Sequence, residues 1–263
     1  SAAGVALDAR FGRSPFNVAI GLARLGQPVA FLSSVSRDFL GDRLVRALDA
    51  EGVRTDTVRR VDAPTTLSLV GLNAAGVPGY VFLGHGAADR QLDAAALDSL
   101  PQATAAIHVG SYATVVEPVA STLRQLIQRD RDRRLIAYDP NVRLNVEPDL
   151  ERWRAMLGWM LPRCHVLKIS DEDLALLHPG VSPQAFIGQA IGHGVELAVV
   201  TRGSEGAIGA TRSSMAQAGA RSVEVIDTVG AGDTFQAALL AWLAERGALA
   251  ASALRALVEA DLG

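Results

Sequence analysis

Cysteine and lysine are almost absent from this 263-residue sequence, which contains one of each. A single cysteine, Cys164, excludes an intrachain disulfide and a cysteine-built metal site. A single lysine, Lys168, excludes nucleotide-binding patterns with a lysine at a fixed place, because neither G-x-x-x-x-G-K-[ST] nor the lysine, H-R-D and D-F-G set of protein kinases occurs here. If the protein binds phosphate, it must therefore use backbone amides.

Other absences narrow the function further. No apolar run approaches the roughly 20 residues that span a bilayer, and no basic and apolar leader opens the sequence, so we expect a cytoplasmic protein. The net charge is −3, and the scattered arginines give no broad basic face of the kind that nucleic-acid binding requires. The five histidines lie far apart, and each is interpreted as a loop or core residue. We expect small-molecule partners, without nucleic acid or membrane.

What the sequence does have is a series of short apolar strands that alternate with amphipathic helices. Four segments of this kind are AAIHVGS, RLIAYDPN, CHVLKIS and ELAVVTRG. Each of them ends in polar or glycine residues. The alternation predicts an α/β fold with a mostly parallel sheet covered by helices on both faces. Ligands are then expected at the carboxyl ends of the strands.

The first third of the chain has clear local signals. A helix is predicted from Ser14, its cap, with Pro15 in its first position and Gly26 at its C-terminal end. A strand at about 28–34 and a helix at about 38–50 should follow. Two alternating runs around a Gly- and Pro-containing turn then predict a β-hairpin over 64–84.

The stretch VEVIDTVGAGDTFQAALLAWL, residues 223–243, indicates a strand, a glycine turn and a long helix. Such a turn exposes unpaired N–H groups at the positive end of the helix dipole and so forms an anion site. Asp233 beside that site would be explained if it takes a proton from a hydroxyl that attacks phosphorus. Taken alone, Asp233 is better explained as a charge that complements the dipole, worth about 0.3 to 1 kcal/mol. A dinucleotide fold is disfavoured, because Phe235 replaces the third glycine of G-x-G-x-x-G.

DTVGAGDTF resembles the C-terminal signature of the ribokinase-like, or PfkB-type, carbohydrate kinases, and GRSPFNVAIGLARLG resembles their N-terminal signature. DPNVR, KISDEDL and TRGSEGA lie between them, so the resemblance covers nearly the whole chain. Within this family, SPFNVAIGLARLG and GHGAADR look most like bacterial fructokinases. The resemblance implies one domain over 1–263, with the ribokinase-like three-layer α/β fold: a mostly parallel central sheet flanked by helices. A small β-lid is implied at about 5–11 and 64–84.

The resemblance also implies site residues. Asp233 would be the catalytic base, and the amides of Gly230, Ala231 and Gly232 would form the anion hole. Further residues are implied for the sugar (Gly12, Asn17 and Arg143), for ATP (Asn141, Ser170, Thr201, Gly203 and Gly206), for water-mediated Mg²⁺ (Asp173) and for a monovalent cation, usually K⁺ (Asp227 and Val229).

Some positions depart from the family pattern. Arg13 replaces the second glycine of the N-terminal pair, and Ser170 and Asp173 replace both ends of the N-x-x-E element, where Glu172 is an alternative magnesium residue. The family's first core strand, with its sugar-binding aspartate, has no counterpart before the motif, and Asp8 is not assigned that role. We expect terminal pieces of the family fold to be missing from the sequence.

The sequence therefore predicts an ATP-dependent sugar kinase, with D-fructose phosphorylated at its 6-hydroxyl. The enzymatic alternatives are 2-keto-3-deoxygluconate kinase, which shares the D-x-N-x-R element, and ribokinase or a nucleoside kinase. The altered positions leave open a catalytically weak sugar- or nucleotide-binding protein. Edge strands of an exposed lid invite pairing, which predicts a homodimer through the lid.

Overall fold

The computed structural model describes residues 10–12, 14–72, 78–220 and 230–257. The helices are α1 (Ser14–Arg24), α2 (Phe39–Ala50), α3 (Val119–Asp130), α4 (Leu150–Met160), α5 (Asp171–Leu177), α6 (Pro183–Gly192), α7 (Ala231–Glu245) and α8 (Ala251–Arg255). The strands are β1 (Ser33–Ser36), β2 (Val58–Val61), β3 (Leu67–Leu72), β4 (Pro78–Leu83), β5 (Ala106–Gly110), β6 (Leu135–Asp139), β7 (Val166–Ser170), β8 (Leu197–Thr201), β9 (Ala207–Ala210) and β10 (Met215–Ala218). Among the helices in these ranges, none is long and apolar enough to cross a membrane.

A six-stranded mixed sheet forms the centre of the molecule, in the order β10-β9-β8-β7-β6-β5. Strands β5 to β8 run parallel, as the alternation of strands and helices predicted. Strands β9 and β10 extend the sheet by antiparallel pairing. The three-layer α/β prediction is confirmed, with helices on both faces of the sheet.

Successive residues of the buried strands face opposite helical layers, because side chains alternate along a strand. In β6, Ile136 and Tyr138 pack in the cluster built from α3, α4, α5 and α6. Leu135 and Ala137 pack in the cluster that contains residues of α1, α7 and α8. The α1 and α7 layer therefore covers the side chains at odd positions of β6.

Strands β1 and β2 form a separate two-stranded parallel sheet. Two cavities, of about 150 and 390 Å³, lie between this sheet and the edge strand β5. Phe31, Leu32, His108 and Val109 line both of them. Among the described residues, β1 and β5 are thus neighbours across a cleft and share no backbone hydrogen bonds.

The hairpin predicted over 64–84 is confirmed as the antiparallel pair β3 and β4. Leu67 lies opposite Leu83, and Leu69 lies opposite Val81, so these four side chains share one face. Phe82 is on the other face, packed against the core. The second lid element, predicted at about 5–11, falls mostly outside the described residues, and Phe11 is not in a strand.

Two local predictions need correction. The strand expected at about 28–34 is shifted to β1, and Ala30 forms only an isolated bridge with Arg54. Ser14 was expected to cap α1, but it is the first helical residue, and its buried Oγ has no hydrogen-bond partner in the described part of the chain. Gly26 follows α1 with φ +77°, as expected for its C-terminal end.

Candidate active site

The carboxyl ends of the parallel strands bring the predicted polar residues to one edge of the sheet. Gly110 at the end of β5 lies beside Asp139 at the end of β6, and Ser170 at the end of β7 lies beside Thr201 at the end of β8. Ser111 and Asn141, just past β5 and β6, have positive φ values of 56° and 41°. The Ser111 hydroxyl donates to the Asn141 carbonyl at 3.2 Å, which joins the two loops.

Helix α7 starts at this edge. Gly230 precedes it in the left-handed conformation, with φ +81°, which glycine adopts without a Cβ penalty. A Cβ at Gly230 would lie 3.6 Å from Nδ2 of Asn17 and 4.0 Å from Oδ2 of Asp233. The first turn, which contains Ala231 and Gly232, therefore presents backbone N–H groups that have no partner within the helix.

Asp233 is held in this first turn by two amides. The Asp233 residue is buried, with 7% of its surface exposed. Asn17 of α1 donates from Nδ2 to Oδ2 at 2.8 Å, and Asn141 donates from Nδ2 to Oδ1 at 3.4 Å. Because an ionised carboxylate has about four acceptor positions, Asp233 can still accept the proton of a hydroxyl.

A buried ion pair lies next to this turn. Lys168 donates from Nζ to Oδ2 of Asp139 at 3.0 Å, and both side chains are almost completely buried. Burial raises the pKa of Asp139 to about 6, although the ammonium of Lys168 acts in the opposite direction and lowers this pKa. Asp173 and Asp233 raise it further, so three carboxylates and one ammonium share this region.

Asp173 lies in the first turn of α5, which Ser170 caps by accepting from the Asp173 amide at 3.1 Å. Its Oδ2 accepts from the Val142 amide at 3.3 Å, and burial raises the pKa of its carboxyl. In the ranges that the structure describes, no group of three His, Cys, Asp or Glu residues is placed to enclose a metal. Since Mg²⁺ is usually bound by one or two carboxylates together with substrate phosphates and waters, Asp173 fits as a water-mediated magnesium residue.

The other predicted residues surround this centre at different distances. Gly12 lies close to Asn17, whose Oδ1 would be 3.9 Å from a Cβ at Gly12. Arg143 is exposed and donates to the Val142 carbonyl at 2.8 Å. Gly203 and Gly206 form the turn between the antiparallel strands β8 and β9, and both have positive φ values. Asp227, Val229 and Arg13 lie outside the described residues.

Sequence reasoning does not find the buried ion pair of Lys168 and Asp139. In the sequence, Lys168 excludes lysine-dependent motifs and Asp139 is one residue of DPNVR, and neither observation predicts the pair. A charged residue in the middle of an otherwise apolar buried strand, VLKIS, is a signal that could have found the pair, since buried charges are normally paired.

Comparison with known proteins agrees with this geometry. The pfkB family of carbohydrate kinases matches residues 8–261. A fructokinase from Rhizobium leguminosarum bv. trifolii is 34% identical over 232 residues, which cover 88% of this chain and 71% of the relative. A fructokinase from Salmonella typhimurium is 32% identical over 241 residues, covering 90% of this chain and 78% of the relative.

Among solved structures, fructokinase from Vibrio cholerae O395 in its fructose, ADP and calcium ion bound form superposes with a TM-score of 0.77. It is 28% identical, with 93% of this chain and 82% of that chain covered. The fold, the two signatures and the family match all lead to one conclusion. The chain belongs to the pfkB family of carbohydrate kinases, and it is a phosphotransferase that acts on an alcohol group of a sugar.

Proposed function

We propose that the protein transfers the γ-phosphate of ATP to the 6-hydroxyl of D-fructose and produces fructose 6-phosphate. The observation that carries this proposal is the Asp233 carboxylate, fixed by Asn17 and Asn141 in the first turn of α7. The similarity to fructokinases of two bacteria supports fructose as the acceptor. The fructose-bound neighbour supports it as well.

In this mechanism Asp233 is the general base. The oxygen of the sugar 6-hydroxyl forms a bond to the γ-phosphorus, the bond from that phosphorus to the bridging oxygen breaks, and the hydroxyl proton passes to Asp233. The amides of Gly230, Ala231 and Gly232 stabilise the negative charge on the transferred group. Asn17 and Asn141 keep the carboxylate oriented towards the hydroxyl. Bound Mg²⁺, held through water by Asp173, would neutralise charge on the ATP phosphates.

The remaining predicted residues have positions that suit binding. Gly12 and Asn17 are neighbours at the start of α1, where the sugar is proposed to bind with Arg143. Ser170 and Thr201 lie side by side at the strand ends, where we place the nucleotide, with Asn141, Gly203 and Gly206. A monovalent cation at Asp227 and Val229 completes the proposal.

We also propose that residues 1–263 form one kinase domain and that two copies associate through the lid. The lid face of Leu67, Leu69, Val81 and Leu83 supports association, because all four side chains are between 37 and 55% exposed. An apolar face of this kind is suited to pack against the same face of a second copy of the protein in a two-fold interface. The opposite face carries Phe82, which packs on the core and keeps the hairpin oriented.

The proposed reaction is tested by ADP release from Mg-ATP with fructose, 2-keto-3-deoxygluconate, ribose and adenosine as acceptors. We expect turnover with fructose and a loss of about 10²- to 10⁴-fold in kcat in Asp233→Asn, which cannot take up the proton. Thr234→Ala is the matched control, since Thr234 is the next residue of α7 and its hydroxyl donates to the Gly230 carbonyl at 3.0 Å. Turnover with another acceptor, and none with fructose, would identify that compound as the substrate in place of fructose. Sugar binding without any turnover would show a binding protein on a kinase fold.

A further inference from the structure

Lys168, which the proposed mechanism does not use, lies directly beneath the first turn of α7. It stands at an even position of β7, and Val166 two residues earlier packs in the cluster with α7, so Lys168 faces the same layer. Asp139 faces this layer from β6, as Leu135 and Ala137 do. A Cβ at Gly232 would lie only 3.0 Å from Nζ of Lys168.

This position is electrostatically unfavourable for an ammonium unless an anion is near. The start of a helix carries about half a positive charge, and Lys168 places a full positive charge beside the second residue of α7. Asp139 offsets this charge through its bond at 3.0 Å, and Asp173 and Asp233 add negative charge to the same region. An additional anion at the same turn would be attracted by both the helix and the ammonium.

Within the part of the chain that the structure describes, the ammonium also has N–H donors beyond the one that Asp139 accepts. A lysine ammonium has three N–H donors, and Asp139 accepts one of them. Gly232 has no side chain, so no side-chain atom of that residue fills the space next to Nζ. A buried charged donor in this place is suited to a charged oxygen of a ligand.

We propose that Lys168 is a further catalytic residue, which donates a hydrogen bond to an oxygen of the transferring phosphoryl group, and that Asp139 is the residue that positions it. This inference rests on the proposed phosphoryl transfer and adds a side-chain cation to an anion hole otherwise made of amides. The ammonium stabilises the charge that develops on the phosphoryl oxygens. It remains protonated throughout, and the proton of the sugar hydroxyl passes to Asp233.

The first test compares Lys168→Met, Asp139→Asn and the double variant Lys168→Met/Asp139→Asn. The double variant controls for the destabilising effect of a buried, unpaired charge, which each single variant leaves behind. It removes both charges of the pair together. The readouts are kcat, KM for each substrate, and the affinities for Mg-ADP and for the ATP analogue with an imido bridge, Mg-AMP-PNP. Only the analogue carries a γ-phosphate.

We expect the double variant to fold, to lose about 10²- to 10³-fold in kcat, as removal of one transition-state donor does, and to bind AMP-PNP about 10- to 100-fold more weakly. Its affinity for ADP should stay within about threefold of wild type. A double variant with wild-type kcat and wild-type affinity for AMP-PNP would show that the pair serves stability alone, and the inference would be overturned.

The second test needs no substitution. Because the sequence has one lysine, labelling with ¹⁵N-lysine gives a single side-chain ammonium signal in the wild-type protein. We expect Mg-AMP-PNP to shift this signal and Mg-ADP to leave it nearly unchanged, whereas an unchanged signal with both nucleotides contradicts the contact. Failure of the proposed function is distinguished from failure of this contact by the activity of the wild type. If the proposed function is wrong, the wild type phosphorylates no sugar, with or without a shift of the lysine signal.

Discussion

Among single residues, His108 illustrates how burial determines the protonation of a side chain close to the catalytic centre. It lies on β5, two residues before the strand end, and lines both cavities next to β1. Burial lowers its pKa to about 4, Lys168 lowers it further, and Asp233 acts in the opposite direction. The imidazole is therefore neutral at pH 7.

This shift predicts a measurable pH dependence of stability. The unfolded chain takes up a proton on His108 near pH 6.5 and the folded protein only near pH 4, so the free energy of unfolding decreases as the pH falls through this interval. We expect His108→Gln to remove up to about 3 kcal/mol of that decrease between pH 6.5 and 4. Urea unfolding at several pH values measures it.

His193→Gln is the control, because His193 is exposed at the end of α6. The decrease attributed to His108 should remain in this variant. If the wild type and His108→Gln have parallel profiles from pH 4 to 7, the lowered pKa of His108 is wrong.

At this same scale, residues inside a contiguous motif can be named as candidates from the sequence alone. Asn17 and Asp233 each belong to a signature, and the structure places them 2.8 Å apart although 216 positions separate them. The Lys168–Asp139 pair could not be assigned in this way, because the contact depends on the register of two neighbouring strands and on which face each residue occupies. Such information is not local in the sequence.

Among the elements, the start of α2 is joined to the base of the lid by Asp38. Its carboxylate accepts from the Gly41 amide at 2.7 Å as the helix cap. It also accepts from the amide and the hydroxyl of Thr65, at 2.9 and 2.7 Å, just before β3. Burial alone would raise the pKa of Asp38, but the bonds from Gly41, Thr65 and Ser36 outweigh it and lower the pKa to about 2.

We predict that Asp38→Ala lowers the free energy of unfolding by about 2 kcal/mol or more at pH 7, because a cap and two further bonds to a charged acceptor are lost together. Because the pKa of the folded state is depressed, this contribution is present above about pH 4 and is lost as the pH falls towards 2. Denaturant titrations at pH 7 and pH 3 measure both effects.

Asp149→Ala provides the comparison, since Asp149 caps α4 by accepting from the Glu151 amide at 2.9 Å and lies 3.7 Å from Arg152. Its expected cost is about 1 kcal/mol. Equal losses in the two variants would show that the Thr65 bonds contribute nothing to stability.

Helices and strands could be predicted where the sequence signal lies within the element itself. The prediction was wrong where pairing with another strand determines the bounds of the element. The hairpin of β3 and β4 was evident from its alternation and turn residues, and α2 was predicted within about a residue. The strand at 28–34 is misplaced, because its apolar residues end at Leu32 and only those from Ser33 onwards lie in register with β2. The edge of β1 that faces β5 has no backbone partner in the described ranges, so apolar sequence there does not produce a longer strand.

For the molecule as a whole, the lid is the surface on which association is proposed. We predict a dimer in solution that Val81→Lys weakens about tenfold or more, because a charge would be placed in the centre of the apolar face. Analytical ultracentrifugation over a range of concentrations gives the dissociation constant of each variant.

Val70→Lys is the matched control on the same hairpin. Val70 and Val81 are exposed to nearly the same extent, 57 and 55%, but Val70 lies on the opposite face of the hairpin. It should leave the dimer unchanged. A wild-type protein that sediments as a monomer at every concentration would end the proposal of a lid-mediated dimer.

The solitary, buried Lys168 has one more consequence, which concerns covalent modification. Acetylation, ubiquitin conjugation and amine-reactive dyes all need an accessible lysine, and this sequence has only Lys168, with 3% of its surface exposed. While the protein is folded, Lys168 is therefore not expected to react with these reagents or enzymes. Once the sheet opens, the same amine becomes available, so reaction at this one position marks the unfolded population.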